Sequence, residues 1–276
     1  MNPFSSPPPG PPQVLVFAAS DPSSGAGIQA DLLTLASLGC HPLTALTAIT
    51  VQDTIGVERV QPVAAELLDR QARAILADMP VAAFKVGLLG SVDNVLTVAR
   101  IAAAYPQTPL VLDPVLASGR GDALANDAII AAIREVLLPR VTLLTPNAPE
   151  ARRLAGDEDD ANELSLAVCA ERLIALGARQ VLITGAHENT PEVVNTLYGA
   201  TGVIRRDSWQ RLPGSYHGSG CTLASAIAAF LARGETIEEA VRAAQDYTWQ
   251  TLQHAFRGGR GQWIPNRFFR AHEHAH

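Results

Sequence analysis

His217-Gly218-Ser219-Gly220-Cys221-Thr222 is the stretch of this chain whose residue types and spacing best suit chemistry. A glycine-spaced turn runs there into an Ala-rich segment whose Leu223, Ile227, Phe230 and Leu231 share one face at helical spacing, with Gly234 as a stop. A helix starting near Ser219 leaves backbone N–H groups without intrahelical partners, and its dipole favours negative charge at that end. Glycines at 218 and 220 let the backbone approach a phosphate closely. Cys221 stands at the junction, as a nucleophile or a base. By residue type alone, a lone cysteine is a small buried hydrophobe. A helix N-terminus lowers a thiol pKa and a bound phosphate raises it, so the net direction is open.

Two further constellations have chemical content. Gly25, Gly27 and Ala30 form a GxGxxA pattern after an apolar run, as in a dinucleotide-binding turn. Residues 20–24, Pro22 among them, separate that run from Gly25, whereas a Rossmann turn follows its strand at once; this argues against a nicotinamide site. Asp31 falls one helical turn later, either as a charge on an exposed helix face or as an acceptor reaching over the strand ends. Asp113, Asn147 and Glu150 are hard oxygen donors at the ends of apolar runs, suited to Mg²⁺ held directly or through water with substrate phosphates. Singly, Asn147 reads as a helix N-cap and Glu150 as a first-turn acid; together the three are more informative. No GxxxxGK[ST] occurs, so the phosphates of any nucleotide handled here fall to residues 218–222.

Short apolar runs alternating with longer helical patterns must position these groups. Strands are expected at 14–19, 43–51, 82–86, 110–112, 141–144 and 181–184, with a small β excursion at 56–60 and a late hairpin at 195–198 and 202–207. Helices are expected at 27–38, 64–77, 91–104, 124–137 and 161–176, besides the segment after Ser219. This is the pattern of one α/β domain over 13–270, with a mainly parallel sheet covered on both faces and active groups at the carboxyl ends of its strands. With 21 basic and 27 acidic residues the net charge is -6, which supplies no basic footprint for nucleic acid. Cys40, Cys169 and Cys221 have no metal-ligand spacing, and their odd number fits a reducing, cytoplasmic setting. The Ser/Pro-rich residues 1–12 read as a disordered tail, neither signal peptide nor membrane span. Residues 271–276, with His272, His274 and His276, read as a solvated tail, metal binding being the alternative.

From about Val14 to about Gln253 the chain resembles the hydroxymethylpyrimidine/phosphomethylpyrimidine kinases of thiamine biosynthesis, a branch of the ribokinase-like superfamily. Ser20-Asp21-Pro22-Ser23-Ser24-Gly25-Ala26-Gly27-Ile28-Gln29-Ala30-Asp31 is similar to that family's amino-terminal signature, and His217 to Leu223 to its carboxyl-terminal one. The resemblance implies a three-layer α/β/α ribokinase-like fold, ATP and Mg²⁺ as cofactors, a small hydroxymethyl pyrimidine as substrate, and a homodimer. It implies substrate contacts at Ala19, Asp31, Gln52 and Leu88, a general base at Cys221, and an anion hole at Gly218, Ser219 and Gly220. Asp113 and Glu150 match positions near the metal, and Asn147, Thr184 and His217 positions on the nucleotide side. The family commonly has Gly at the positions of Ala19 and Ser24, and Lys at Thr184, whose replacement removes a nucleotide-phosphate contact. Ser215-Tyr216 also replaces an Asn-Thr-like pair. The alternatives are a pyridoxal kinase and a non-catalytic pyrimidine-binding homologue.

Overall fold

Six consecutive apolar residues, Val14 to Ala19, form the centre of β1 (Gln13–Ser20) and are all buried, as a strand covered on both faces of a parallel sheet requires. The structure, a computed structural model, describes residues 10–118, 121–156, 164–188 and 190–272. The other strands are β2 (His41–Gln52), β3 (Val57–Pro62), β4 (Ala83–Val86), β5 (Leu110–Leu112), β6 (Leu143–Leu144), β7 (Gln180–Ile183), β8 (Glu192–Gly199) and β9 (Gly202–Gln210). Their spatial order is β3-β2-β1-β4-β5-β6-β7-β8-β9. The six from β2 to β7 in that order are parallel, and β3, β8 and β9 add antiparallel edges.

Alternation along β1 sorts the core into two layers. Val14, Val16 and Ala18 pack with α1 (Gly27–Ser37), α7 (Ser219–Ala232) and α8 (Ile237–Gln253). Leu15 and Phe17 belong with α2 (Ala65–Asp78), α3 (Val92–Ala104), α4 (Asp127–Ala132), α5 (Ala148–Ala155) and α6 (Leu166–Ala175). This is the expected three-layer α/β/α arrangement. Helix α7 carries small or apolar residues all round and is buried from Thr222 to Phe230. Its alanines let it lie against β1, β4 and β5 while also meeting α1 and α8. No helix among the described residues is long and apolar enough to cross a membrane.

Several boundaries differ from expectation for local reasons. The pattern at 124–137 becomes α4 from Asp127, capped by the Asn126 side chain, then a wider i→i+5 turn over Ile133–Leu137. Pro139, which has no N–H to donate, stands in the short tight turn Leu138–Arg140 that follows. Helix α6 begins only at Leu166 behind a Ser165 cap, and residues 161–163 of its expected start lie outside the described residues. Helices α5 and α8 were not among the expected patterns; each starts with a capping box, Asn147/Glu150 and Thr236/Glu239. Of the expected tails, 1–9 and 273–276 lie outside the described residues, while the Pro12 carbonyl accepts from His41 N at 2.8 Å and belongs to the sheet. The carboxyl ends of β1, β2, β4, β5 and β7 bring Ser20, Gln52, Gly87, Asp113 and Thr184 to one edge.

Candidate active site

The loop after β1 is built around the Asp21 carboxylate, which is 2 % exposed. It accepts from Ser23 N (2.8 Å), Ser23 Oγ (3.0 Å), Ala26 N (2.8 Å) and His217 Nε2 (2.8 Å). Burial acts to raise its pKa, but the bonds from His217, Ala26 and Ser23 outweigh burial and hold it below the usual carboxylate value. The Gln52 amide nitrogen lies 3.1 Å from the same His217 nitrogen. His217, expected on the nucleotide side, thus stands beside Gln52 and Asp21 in the cavity wall. Gly218, the N-cap of α7, has φ 78°, and a Cβ there would run into the Gly25 carbonyl. Two glycine turns nearly 200 residues apart in sequence therefore stack directly.

Arg267, 3 % exposed, ties them together, and sequence reasoning missed it. It donates to the Gly25 carbonyl (2.6 Å), the Ser24 carbonyl (3.5 Å) and Thr222 Oγ1 (3.1 Å). No pattern around Pro265-Asn266-Arg267 marks that role. Lys85 was missed too, although a lone lysine inside an apolar run was a readable signal. Its ammonium lies 2.9 and 3.0 Å from the two Asp31 oxygens, and Ser225 Oγ donates to Asp31 Oδ1 at 2.7 Å. Neither charged side chain has exposed surface. Asp31 is thus neither the exposed helix charge nor the direct substrate acceptor expected: both oxygens are taken beneath the cavity.

Directly above lie Asp113 and Cys221. The Asp113 carboxylate faces Gly220, 3.6 and 3.8 Å from where a Cβ would stand, and lies close enough to the Cys221 thiol for each to shift the other's ionisation. Burial, opposed by Lys85 and helped by Asp113 and Asp31, pushes the Cys221 thiol up to about 12. The direction left open by the sequence is upward, and the thiol is protonated in the ligand-free protein. Burial also raises the Asp113 carboxyl, with Lys85 opposing and Asp31 adding. Glu150 is raised by burial and then by Asp113. Its Oε1 accepts from Leu116 N (3.1 Å) and its Oε2 from Asn147 N (3.0 Å), while Asn147 Oδ1 accepts from Glu150 N (2.9 Å). Both capping roles read from the sequence are present.

A cavity of about 730 Å³ joins these parts. Ala19, Gln52, Leu88 and His217 line it, as do Asp113, Asn147, Glu150 and Gly218 to Cys221, and Thr184, Arg211, Trp249 and Leu252. Of the expected site residues, only Asp31 does not line it. Among the described residues no three His, Cys, Asp or Glu side chains are grouped to hold a metal by themselves. Two buried carboxylates, both with raised pKa and the second raised in part by the first, offer oxygen donors only and fit Mg²⁺, which binds through one or two carboxylates plus substrate phosphates. Helix α7 has no side-chain cap, so its first N–H groups are open to an anion.

An open helix N-terminus over the strand ends of an α/β/α sheet, beside a thiol and two carboxylates, marks a ribokinase-like phosphotransferase. The chain belongs to the phosphomethylpyrimidine kinase family, which it matches over residues 21–266. It is 41% identical over 275 residues to the hydroxymethylpyrimidine/phosphomethylpyrimidine kinase of Mycobacterium tuberculosis (strain ATCC 25618 / H37Rv), covering 98% of this chain and 99% of that protein. Among solved structures it is similar to phosphomethylpyrimidine kinase from Clostridium difficile 630, with TM-score 0.74, 32% identity, and coverage of 87% of this chain and 99% of that one. It is also similar to an ADP complex of Bacillus subtilis pyridoxal kinase, with TM-score 0.82, 30% identity, and coverage of 94% and 98%.

Two outcomes follow from this geometry. Lys85→Met leaves Asp31 buried without its partner and lowers stability by about 3–5 kcal/mol in urea unfolding, whereas Lys85→Met with Asp31→Leu loses less; a double variant as unstable as the single would refute the pairing. Alkylation of Cys221 by iodoacetamide, followed by peptide mapping on ligand-free protein, is slow at pH 7 and keeps accelerating past pH 10, because the thiolate forms only toward about 12. A rate that levels off below pH 8 would contradict the upward shift.

Proposed function

We propose that this protein uses Mg-ATP to phosphorylate the hydroxymethyl group of 4-amino-5-hydroxymethyl-2-methylpyrimidine, and then the resulting monophosphate, in thiamine diphosphate biosynthesis. The observation that carries this reading is the meeting of the uncapped α7 N-terminus with Cys221 and Asp113 in a cavity that also contains Gln52 and Leu88. Gln52 offers an amide to the exocyclic amine and ring nitrogens of an aminopyrimidine, while Leu88 and Ala19 give its ring apolar contact. The N–H groups of Ser219 and Gly220, with Gly218 as cap, hold the anionic phosphoryl oxygens. Bound Mg-ATP supplies the phosphoryl group and the positive charge that neutralises Asp113 and Glu150. With Asp113 neutralised, one of the two carboxylates that oppose the Cys221 thiolate no longer acts, and Lys85, which favours the thiolate, is opposed by Asp31 and burial. Cys221 Sγ is then the base for the hydroxymethyl proton.

The similarity to a pyridoxal kinase supports a second reading, phosphorylation of a hydroxymethyl pyridine at the same site. A substrate panel with Mg-ATP separates them. Turnover of the pyrimidine and its monophosphate is expected to exceed that of pyridoxal and pyridoxine. Cys221→Ala is expected to fold like the wild type and lose at least about 100-fold in turnover. Phosphorylation of none of the four compounds would leave a non-catalytic pyrimidine-binding protein, and undiminished Cys221→Ala activity would remove the base.

The single domain over 13–270 is further read as one half of a homodimer in the cytoplasm, where unpaired thiols such as Cys221 persist. Support for the dimer comes from Ile49 and Val51, which alternate on β2 at 52% and 50% exposure, with Ile55 beyond at 41%. Sedimentation is expected to give twice the chain mass, and Val51→Lys to weaken that association. A wild-type chain that sediments as a monomer at micromolar concentration would refute it.

A further inference from the structure

The wall of the cavity beyond Asn147 holds a cation that the chemistry above leaves unused. Arg211 follows β9 and lines the cavity, as do Thr184, Ala186 and His187. Its guanidinium donates through Nη1 to the Ala186 carbonyl (2.8 Å), through Nη2 to that of Glu188 (2.9 Å) and through Nε to that of Thr190 (3.0 Å). Carbonyls orient a guanidinium without cancelling its charge. The acid in that turn, Glu188, gives its carboxylate to Arg152 at 3.0 and 3.4 Å. A guanidinium has five N–H donors. Two are therefore left after the three carbonyl bonds, on a side chain held in a fixed orientation.

The rest of the wall offers no substitute. Lys85, the other Lys or Arg among the described residues of the cavity, has no exposed surface and is matched by Asp31. Thr184, at the end of β7, is neutral. Burial and then the Arg211 charge depress the His187 pKa, which keeps that ring neutral. A nucleotide whose transferred phosphoryl lies at Gly218 to Cys221 brings further phosphates with several negative charges, and these need a cation at close range.

We infer that Arg211 binds the phosphates that stay with the nucleotide, through the two N–H groups its carbonyl bonds leave free. This rests on the phosphotransferase reading above. In doing so it stands in for the lysine that Thr184 replaces, from the segment after β9 and held by the 186, 188 and 190 carbonyls.

Calorimetric binding of ADP and of adenosine to wild type, Arg211→Met and Arg211→Lys tests this without turnover. Loss of a charged hydrogen-bond partner is expected to weaken ADP by roughly 10–100-fold in Arg211→Met, with adenosine changed less than about twofold. Arg211→Lys, which keeps the charge, is expected to recover part of the ADP affinity. In steady-state assays the KM for ATP is expected to rise and that for the pyrimidine to stay near wild type. Equal weakening of ADP and adenosine would mean that Arg211 only shapes the turn, and unchanged ADP binding would mean that it does not meet the phosphates; either overturns the inference. A wild type that binds neither ADP nor ATP would instead overturn the phosphotransferase reading itself.

Discussion

A lysine and an aspartate with no exposed surface set the geometry of the catalytic end of this sheet. Lys85 comes from β4, Asp31 from α1, and the hydroxyl that shares Asp31 from Ser225 on α7, so one buried pair pins two helices to a central strand. Burying two charges is costly, and their attraction offsets the cost only when the geometry is good and the remaining lone pairs are satisfied. Here both carboxylate oxygens lie within 3.0 Å of the ammonium. Gly87 leaves room for it, since a Cβ there would stand 2.9 Å from Nζ. The start of α7 is thereby held over the strand ends, and Cys221 feels the Lys85 charge from below.

A second constraint follows, because the start of α7 must also fit the loop after β1. Gly218 sits so close to Gly25 that no side chain is accommodated, and its backbone is left-handed at φ 78°. Arg267 donates to the Gly25 carbonyl and to Thr222 Oγ1, which in turn donates to the Gly218 carbonyl at 2.8 Å. Ser24, where the family commonly has glycine, is in the left-handed region at φ 59°. That conformation costs a non-glycine residue on the order of 1 kcal/mol. The strain is tolerated where Arg267 and Asp21 hold the loop from both sides.

Legibility in the sequence followed the range of the interactions involved. Apolar runs such as Val14 to Ala19 reveal parallel strands because burial on both faces is written in consecutive residues. The Asn147/Glu150 box is equally local and was read as such, and Thr236 with Glu239 carries the same signal for α8. Asp31 could not be read that way: its partner is 54 positions away, and nothing in its own helix distinguishes a buried ion pair from a solvated acid. Arg267 belongs to the same class, since two of its partners, the Ser24 and Gly25 carbonyls, lie more than 240 residues away and the third, Thr222, 45. The Cys221 pKa depends on the sum of burial and three charges from separate elements, so residue type and helix position alone left its sign undecided.

These long-range charges give the cavity a consistent electrostatic character. Burial raises both Asp113 and Glu150, Asp31 adds to the first and Asp113 to the second, which disfavours accumulated negative charge there and favours a cation between protein and ligand. The uncapped α7 N-terminus and the carbonyl-held Arg211 have the opposite preference and favour an anion. A metal-bound polyphosphate satisfies both at once, whereas either ion alone leaves the other preference unmet. Cys221 lies between the two regions, next to Asp113 and on the first turn of α7. Its proton is held first by burial and then by the negative charges of Asp113 and Asp31, with Lys85 opposing them, so a cation that neutralises Asp113 lowers one of the barriers to losing it.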